Sequence, residues 1–234
     1  MKNMKIFLLT LFGLYAFMTF TAAQINFSKV GLGLAYWERS YTGPDERVIL
    51  PSYPGEEKQF TAGSFLPTLN AELALGESFA LEGKIGMWNK TYTGTETVLE
   101  VSRREVMSQR IIPVAAFLNY YLPALLDERV RVFAGIGINR FFIQNEVERF
   151  VTGQEGSISG ITFDGNDYGA LFKIGAEKVL SENLNIAFEG ILNTGTYIQN
   201  YTPELGATTT KYVISLAGLS LGAVLKYSFL GNKY

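Results

Sequence analysis

Gly218-Leu219-Ser220-Leu221-Gly222-Ala223-Val224-Leu225-Lys226-Tyr227-Ser228-Phe229 puts Leu219, Leu221, Ala223, Leu225, Tyr227 and Phe229 on one side of an extended chain. Glycine, serine, valine and lysine fall on the other. A period of two is what a pleated strand requires when its faces meet different surroundings. Working back from this segment, the same alternation predicts strands over 27–41, 63–75, 79–92, 109–122, 129–148, 167–180, 184–197 and 211–229. Gly76-Glu77-Ser78, Pro123 to Glu128 and Ser181-Glu182-Asn183 make short connections. The stretches 42–62, 93–108, 149–166 and 198–210 make long ones, rich in Gly, Pro, Thr and charge. Eight strands joined alternately by tight turns and long loops predict an all-β, antiparallel, up-and-down barrel.

The first 23 residues differ from the rest. Lys2 and Lys5 precede the uncharged run Ile6 to Phe20, and Thr21-Ala22-Ala23 then offers small residues at a cleavage site. This order predicts a signal peptide over 1–23, cut before Gln24, and one barrel domain over 24–234. A retained N-terminal helix is the alternative, since the run approaches the ~18 residues that span a bilayer. Removing the leader takes two of 20 basic residues and none of 22 acidic ones, leaving a net charge of −4, which does not suggest a nucleic-acid partner. The chain has no cysteine, so disulfides contribute nothing to its stability. After residue 24 no apolar run is long enough for a spanning helix, which leaves a closed barrel as the way to satisfy the backbone in lipid.

Alternation alone does not say which face points inward, because a soluble lipocalin-like barrel has the same period. Glycine decides. Gly31, Gly33, Gly86, Gly135, Gly137, Gly175, Gly218 and Gly222 share the polar face with Lys29, Lys84, Asn139, Glu177 and Lys226. Glycine weakens a strand and serves no purpose on a solvated surface, but a crowded eight-stranded interior needs small residues beside long ones. The polar face is therefore expected inside, and residues such as Leu32, Ile136, Ile174 and Leu221 against lipid. Aromatics should then mark the two interfaces. Tyr36, Trp37, Tyr41, Trp88, Tyr92, Phe141, Phe142, Tyr168, Tyr197 and Tyr212 fall at one end, and Phe27, Phe79, Tyr120, Tyr121, Tyr227 and Phe229 at the other.

With Val30-Gly31-Leu32-Gly33-Leu34, Phe133-Ala134-Gly135-Ile136-Gly137-Ile138 and the last strand, the mature chain resembles the small outer-membrane β-barrels of Gram-negative bacteria. These are the OmpX, OmpA-transmembrane and OmpW-like group, and especially the Bacteroidota outer-membrane β-barrel-domain or porin-family proteins. The resemblance implies a bacterial outer membrane, contact with its lipid, and a final strand read by the barrel-assembly machinery. Gly222, Leu225, Tyr227 and Phe229 match that signal, although Leu230 to Tyr234 follow it.

Barrel enzymes of that membrane use histidine, the side chain best poised to exchange protons at neutral pH, and this chain has none. A Cys/His metal site is impossible. Asp164-Gly165-Asn166-Asp167 reads as a polar turn, with too few oxygen ligands for calcium. No cofactor is expected. Inward positions near the short-turn end give Lys29, Glu72, Glu82, Lys84, Arg131, Glu177, Glu189 and Lys226, with Asn119; acid and base balance, so they should pair across a filled lumen. Arg39, Lys90, Arg110, Arg140 and Lys211 sit just beyond the lipid band, where lipid phosphate would lie. The fifth strand stays strand-like through Ile143 to Glu148. Its hairpin with the sixth, with Ile158, Ile161 and Phe163 returning from a Thr152-to-Gly156 tip, should project and offer a protein partner strand-edge hydrogen bonds. These readings predict a non-enzymatic barrel acting by loop-mediated binding or membrane reinforcement; the alternative is a narrow or laterally opening pore for small or apolar solutes.

Overall fold

Each alternating segment becomes a strand in the computed structural model, which describes residues 25–39, 63–98, 101–122, 129–151, 160–201 and 210–229. The leader, Gln24, Tyr41, the 152–156 tip and Ile158 lie outside the described residues, as do the side chains of Ile161, Phe163, Tyr197, Lys211 and Tyr212.

The strands are β1 (Ile25–Arg39), β2 (Gly63–Leu75), β3 (Phe79–Gly86), β4 (Trp88–Val98), β5 (Val101–Tyr121), β6 (Val130–Val151), β7 (Gly160–Val179), β8 (Leu184–Asn193), β9 (Thr196–Tyr201), β10 (Thr210–Ser215) and β11 (Gly218–Ser228). All pairs are antiparallel, and β1 pairs with β2 on one side and β11 on the other, which closes the sheet. β3 and β4 follow one course, interrupted at Met87, whose N–H still bonds the Pro67 carbonyl at 3.2 Å. With β8–β9 and β10–β11 counted likewise as single courses, the barrel has eight strands. At the short-turn end, Gly76 adopts a φ of +83°, a conformation that favours glycine.

Side-chain parity sorts the wall. Leu32 and Ile174 are 70% and 69% exposed, whereas Glu82 and Lys226 are 0% and 1% exposed. A continuous apolar belt of this kind needs hydrocarbon around it, and the polar side faces the interior. The glycines make room there. Gly137 lies opposite Phe117, and Gly175 opposite Phe133, so each phenylalanine ring covers a strand position that carries no side chain.

Three expectations are corrected. The stretch 93–108 is largely paired strand, with β4 and β5 continuing up to Val98 opposite Val101; within 149–166 the described residues 149–151 and 160–166 are strand rather than loop, and β6 and β7 pair up to Glu148 opposite Gly160, in keeping with the extended hairpin expected there. Between 198 and 210, β9 and β10 form a separate two-stranded ribbon. These extensions mix apolar, polar and charged residues without a regular period of two, so they lose the apolar–polar contrast by which strands are recognised. Second, Asp164-Gly165-Asn166-Asp167 is not a turn but part of β7, laddered to Gln144, Ile143, Phe142 and Phe141; the neighbouring strand overrides local turn preference. Third, Trp37, Trp88, Tyr92, Phe141 and Tyr121 are buried inside and do not join the interface belts. Their parity with Ala35, Gly86 and Asn139 already fixes the inward direction, and height along the barrel does not change it.

Candidate functional site: a layered lumen

Seven of the eight barrel courses send polar side chains into buried ion-pair clusters near the short-turn end, and β6 adds the Phe133 ring. Lys226 Nζ on β11 lies 3.2 Å from both Glu72 Oε2 on β2 and Glu177 Oε2 on β7. Lys29 Nζ on β1 lies 2.6 Å from Glu177 Oε1 and 3.4 Å from Glu72 Oε1. The Tyr121 hydroxyl on β5 donates to Glu72 at 2.8 Å, and Asn185 on β8 donates to Glu177 at 2.9 Å. Phe133 on β6 underlies Lys226, its ring centroid 5.4 Å from Nζ.

A second group sits beside it. Lys173 Nζ on β7 pairs with Glu82 Oε2 on β3 at 2.6 Å, and Asn70 and Asn119 each donate to Glu82 at 2.9 Å. Lys84 pairs with Glu189 across the lumen. Glu72 and Glu82 are register neighbours, an unfavourable like-charge placement that the separate lysine partners offset. Lys173 also lies 4.2 Å from the Phe117 ring centroid, where the ring face favours a cation. The result is four lysines facing four glutamates in a low-dielectric interior, where each charge needs its partner.

Seven of the eight residues anticipated for the lumen lie in this network. Arg131 stands apart at the turn end, donating to the Glu77 carbonyl at 2.9 Å and resting 5.0 Å from the Tyr121 ring centroid. Lys173, absent from the anticipated set, takes its place in the charge balance. The signal was present in the sequence: Phe172 and Ile174 on either side of it read as lipid-facing, which turns Lys173 inward.

Above the ions is a cavity of about 30 Å³, room for a water or two and not for an organic solute. Asn139 Oδ1 and Trp37 Nε1, on two of its lining residues, have no protein hydrogen-bond partner among the described residues and suit buried water. An aromatic layer lies above it. Trp37 stacks on Phe141 with centroids 5.8 Å apart and 15° between planes, and meets Trp88 edge-on, also at 5.8 Å. Leu216, in the break between β10 and β11, is fully buried in the same cluster.

Arg39 corrects the expectation of a cationic rim facing lipid. It is buried on top of the aromatic layer, donating to Gln109 Oε1 at 2.7 Å and the Ser215 carbonyl at 2.8 Å, with its guanidinium 5.5 Å from the Trp88 ring centroid. It shares the inward parity of Trp37. Lys90 has the parity of Trp88 and bonds the Gly63 carbonyl at 3.0 Å, so it too is not on the lipid side. Arg110 and Arg140 do point outward, and the Lys211 side chain lies outside the described residues. In the final strand, Gly222 packs against Ala35, while Leu225, Tyr227 and Phe229 face out and Phe229 meets Phe27 at 5.2 Å.

A closed eight-stranded sheet, an apolar exterior and a filled polar interior define the small outer-membrane β-barrel fold. No protein-family model matches the chain, and no curated protein matches it. Solved structures do. It is similar to OprG of Pseudomonas aeruginosa (TM-score 0.54, 11% identity, 88% of this chain and 98% of that one). It is also similar to Neisserial surface protein A (0.52, 12%, 88% and 99%) and to a major outer membrane protein of Thermus thermophilus (0.52, 12%, 87% and 100%). At such identities the likeness concerns the fold.

Proposed function

We propose that the protein is an integral outer-membrane barrel that does not catalyse or conduct, and that works through its outward hairpins while bracing the membrane. The observation that carries this reading is double closure of the lumen, by the lysine–glutamate network below and the Trp37–Phe141–Trp88 layer above. Residues 1–23 act as an export leader removed before Gln24, and Gly222, Leu225, Tyr227 and Phe229 serve as the assembly signal. Reconstituted in a planar bilayer, the protein gives no steady ionic current; discrete, long-lived conducting steps would overturn the reading. Removing residues 149–160 leaves a barrel that still folds in detergent and abolishes capture of any protein partner, whereas undiminished capture would move binding elsewhere.

A second reading is lateral passage of apolar solutes. It draws on the irregular break between β8 and β9 at Thr194 and Gly195, whose backbone still bonds Ala170 and Leu216, beside Leu171 and Asn193 of the cavity lining. Uptake of an apolar fluorophore into proteoliposomes, abolished by Gly195→Val, would favour it over the closed barrel.

A further inference from the structure

Two breaks in adjacent courses lie at one height. The ladder between β8 and β11 ends at Asn193 opposite Gly218, and that between β9 and β10 begins at Thr196 opposite Ser215. The register therefore carries across, while Thr194-Gly195 on one side and Leu216-Ala217 on the other leave regular strand. Below this crease the hairpin belongs to the barrel wall, β8 being paired with β7 and β11 with β1. Above it, β9 and β10 pair with each other and, among the described residues, join no other ladder. A two-stranded ribbon without ladders on either side moves as a unit about the residues at its root. Gly195, with a φ of +145°, supplies there a backbone conformation that residues with side chains rarely adopt.

The crease is also where the hairpin meets the aromatic layer. Leu216 is fully buried in the cluster that holds Trp37, Trp88 and Phe141, and its N–H donates to the Gly195 carbonyl at 2.8 Å. The carbonyl of Ser215, at the root of the ribbon, accepts a bond of 2.8 Å from Arg39. The same guanidinium donates to Gln109 on β5 at 2.7 Å and lies 5.5 Å from the Trp88 ring centroid. Ribbon and aromatic layer thus share their fastenings: the leucine and the carbonyl that root the one are packed and hydrogen-bonded parts of the other. A rotation about the crease shifts both, because a close-packed cluster repacks when a member leaves instead of stretching to follow it.

We propose that β9–β10 is a flap hinged at this crease, and that its swing withdraws Leu216 and the Ser215 carbonyl from the aromatic layer, so that a contact made with the ribbon at the outer surface loosens the upper closure of the lumen. The lysine–glutamate network lies below the crease, on laddered parts of β8 and β11, and stays closed in both positions. A swing therefore changes the packing of the aromatic layer without opening a route through the barrel. Coupling between two equilibria is reciprocal, so a change that weakens the layer must release the flap by the same factor by which a moved flap weakens the layer.

The chain has no cysteine and two tryptophans, Trp37 and Trp88, so both ends of the coupling can be read in the refolded protein. Nitroxides placed at Gln199→Cys on β9 and Ser108→Cys on β5 report the flap by double electron–electron resonance, and acrylamide quenching reports the tryptophans. The parent sequence gives one dominant distance. Leu216→Ala raises the population at a second distance by at least about tenfold and raises quenching with it. Arg39→Gln acts in the same direction on both readouts. Trp37→Ala, which damages the layer from the opposite wall, populates the same second distance. Val224→Ala, a buried change near the short-turn end, alters neither readout. Heat-modifiable migration shows that each variant has folded. An unchanged distance distribution in folded Leu216→Ala and Trp37→Ala proteins would overturn the coupling, as would a second distance that appears equally with Val224→Ala or that leaves tryptophan quenching unmoved in Leu216→Ala.

Discussion

Lys173 and Gly175 follow one another on the inner face of β7 and illustrate what the lumen asks of single residues. Lys173 and Glu82 are both fully buried, with Asn70 and Asn119 completing the carboxylate's hydrogen bonds. Lys173→Met leaves that carboxylate charged and half-served, and should lower unfolding free energy by about 3–5 kcal/mol. Pairing it with Glu82→Gln should recover most of the loss, while exposed Lys178→Ala should change stability by no more than about 0.5 kcal/mol. Urea unfolding in detergent measures all three; equal effects at 173 and 178 would refute the closed network. At Gly175 the constraint is space. A Cβ there would clash with the Phe133 ring and come within 2.6 Å of the Phe188 carbonyl oxygen, which is backbone and cannot yield cheaply. Gly175→Ala should cost about 1–3 kcal/mol. Gly83 faces outward, and a Cβ there would meet no atom within 4 Å, so Gly83→Ala should be neutral in the same assay.

Strands report their surroundings by depth as well as parity. Ile136 lies near the middle of the lipid-facing part of β6 and is 61% exposed, whereas Val130 begins the strand. Ile136→Arg should cost roughly 2–4 kcal/mol and Val130→Arg at most about 1. Equal midpoints in guanidinium titrations of the two variants reconstituted in lipid would argue against a bilayer around this wall. Within that band the strands were legible in the sequence, because lipid outside and ions inside give the alternation its contrast. Where the contrast vanished, so did legibility: Thr93 to Ser108 has strand-forming residues on both faces of a ribbon above the lipid, and its charges resemble those of a loop. The inner aromatic layer was missed for a different reason. Trp37, Trp88 and Phe141 stand at the height where interface belts form, and only parity separates a belt from a plug. The lumen ions were legible from parity and charge balance, but Arg39 was not, because a terminal strand residue looks solvated until the rings beneath it are placed.

The two closures act in series along the barrel axis, which gives the whole molecule a testable electrical property. The lower one is electrostatic: Lys226 and Lys29 hold Glu72 and Glu177 from opposite walls, so side chains fill the cross-section and cancel its charge. The upper one is apolar: Trp37, Phe141 and Trp88 pack against one another above the small cavity, and Trp37 and Phe141 line it. Opening only the upper layer, with Trp37→Ala and Phe141→Ala, should produce a hydrated vestibule that still ends on ion pairs, and no steady current. Adding Lys226→Ala removes the cation shared by Glu72 and Glu177 and leaves excess negative charge in a widened lumen. Water should then enter to solvate the carboxylates, and a ring biased toward negative charge selects cations. The triple variant should therefore conduct in a planar bilayer, with a reversal potential in a potassium chloride gradient displaced toward that of potassium. Each variant is first checked for heat-modifiable migration, so that a misfolded barrel is not scored as a closed one. A current in the double variant as large as in the triple would show that the ion network does not close the lumen, and that the aromatic layer alone does.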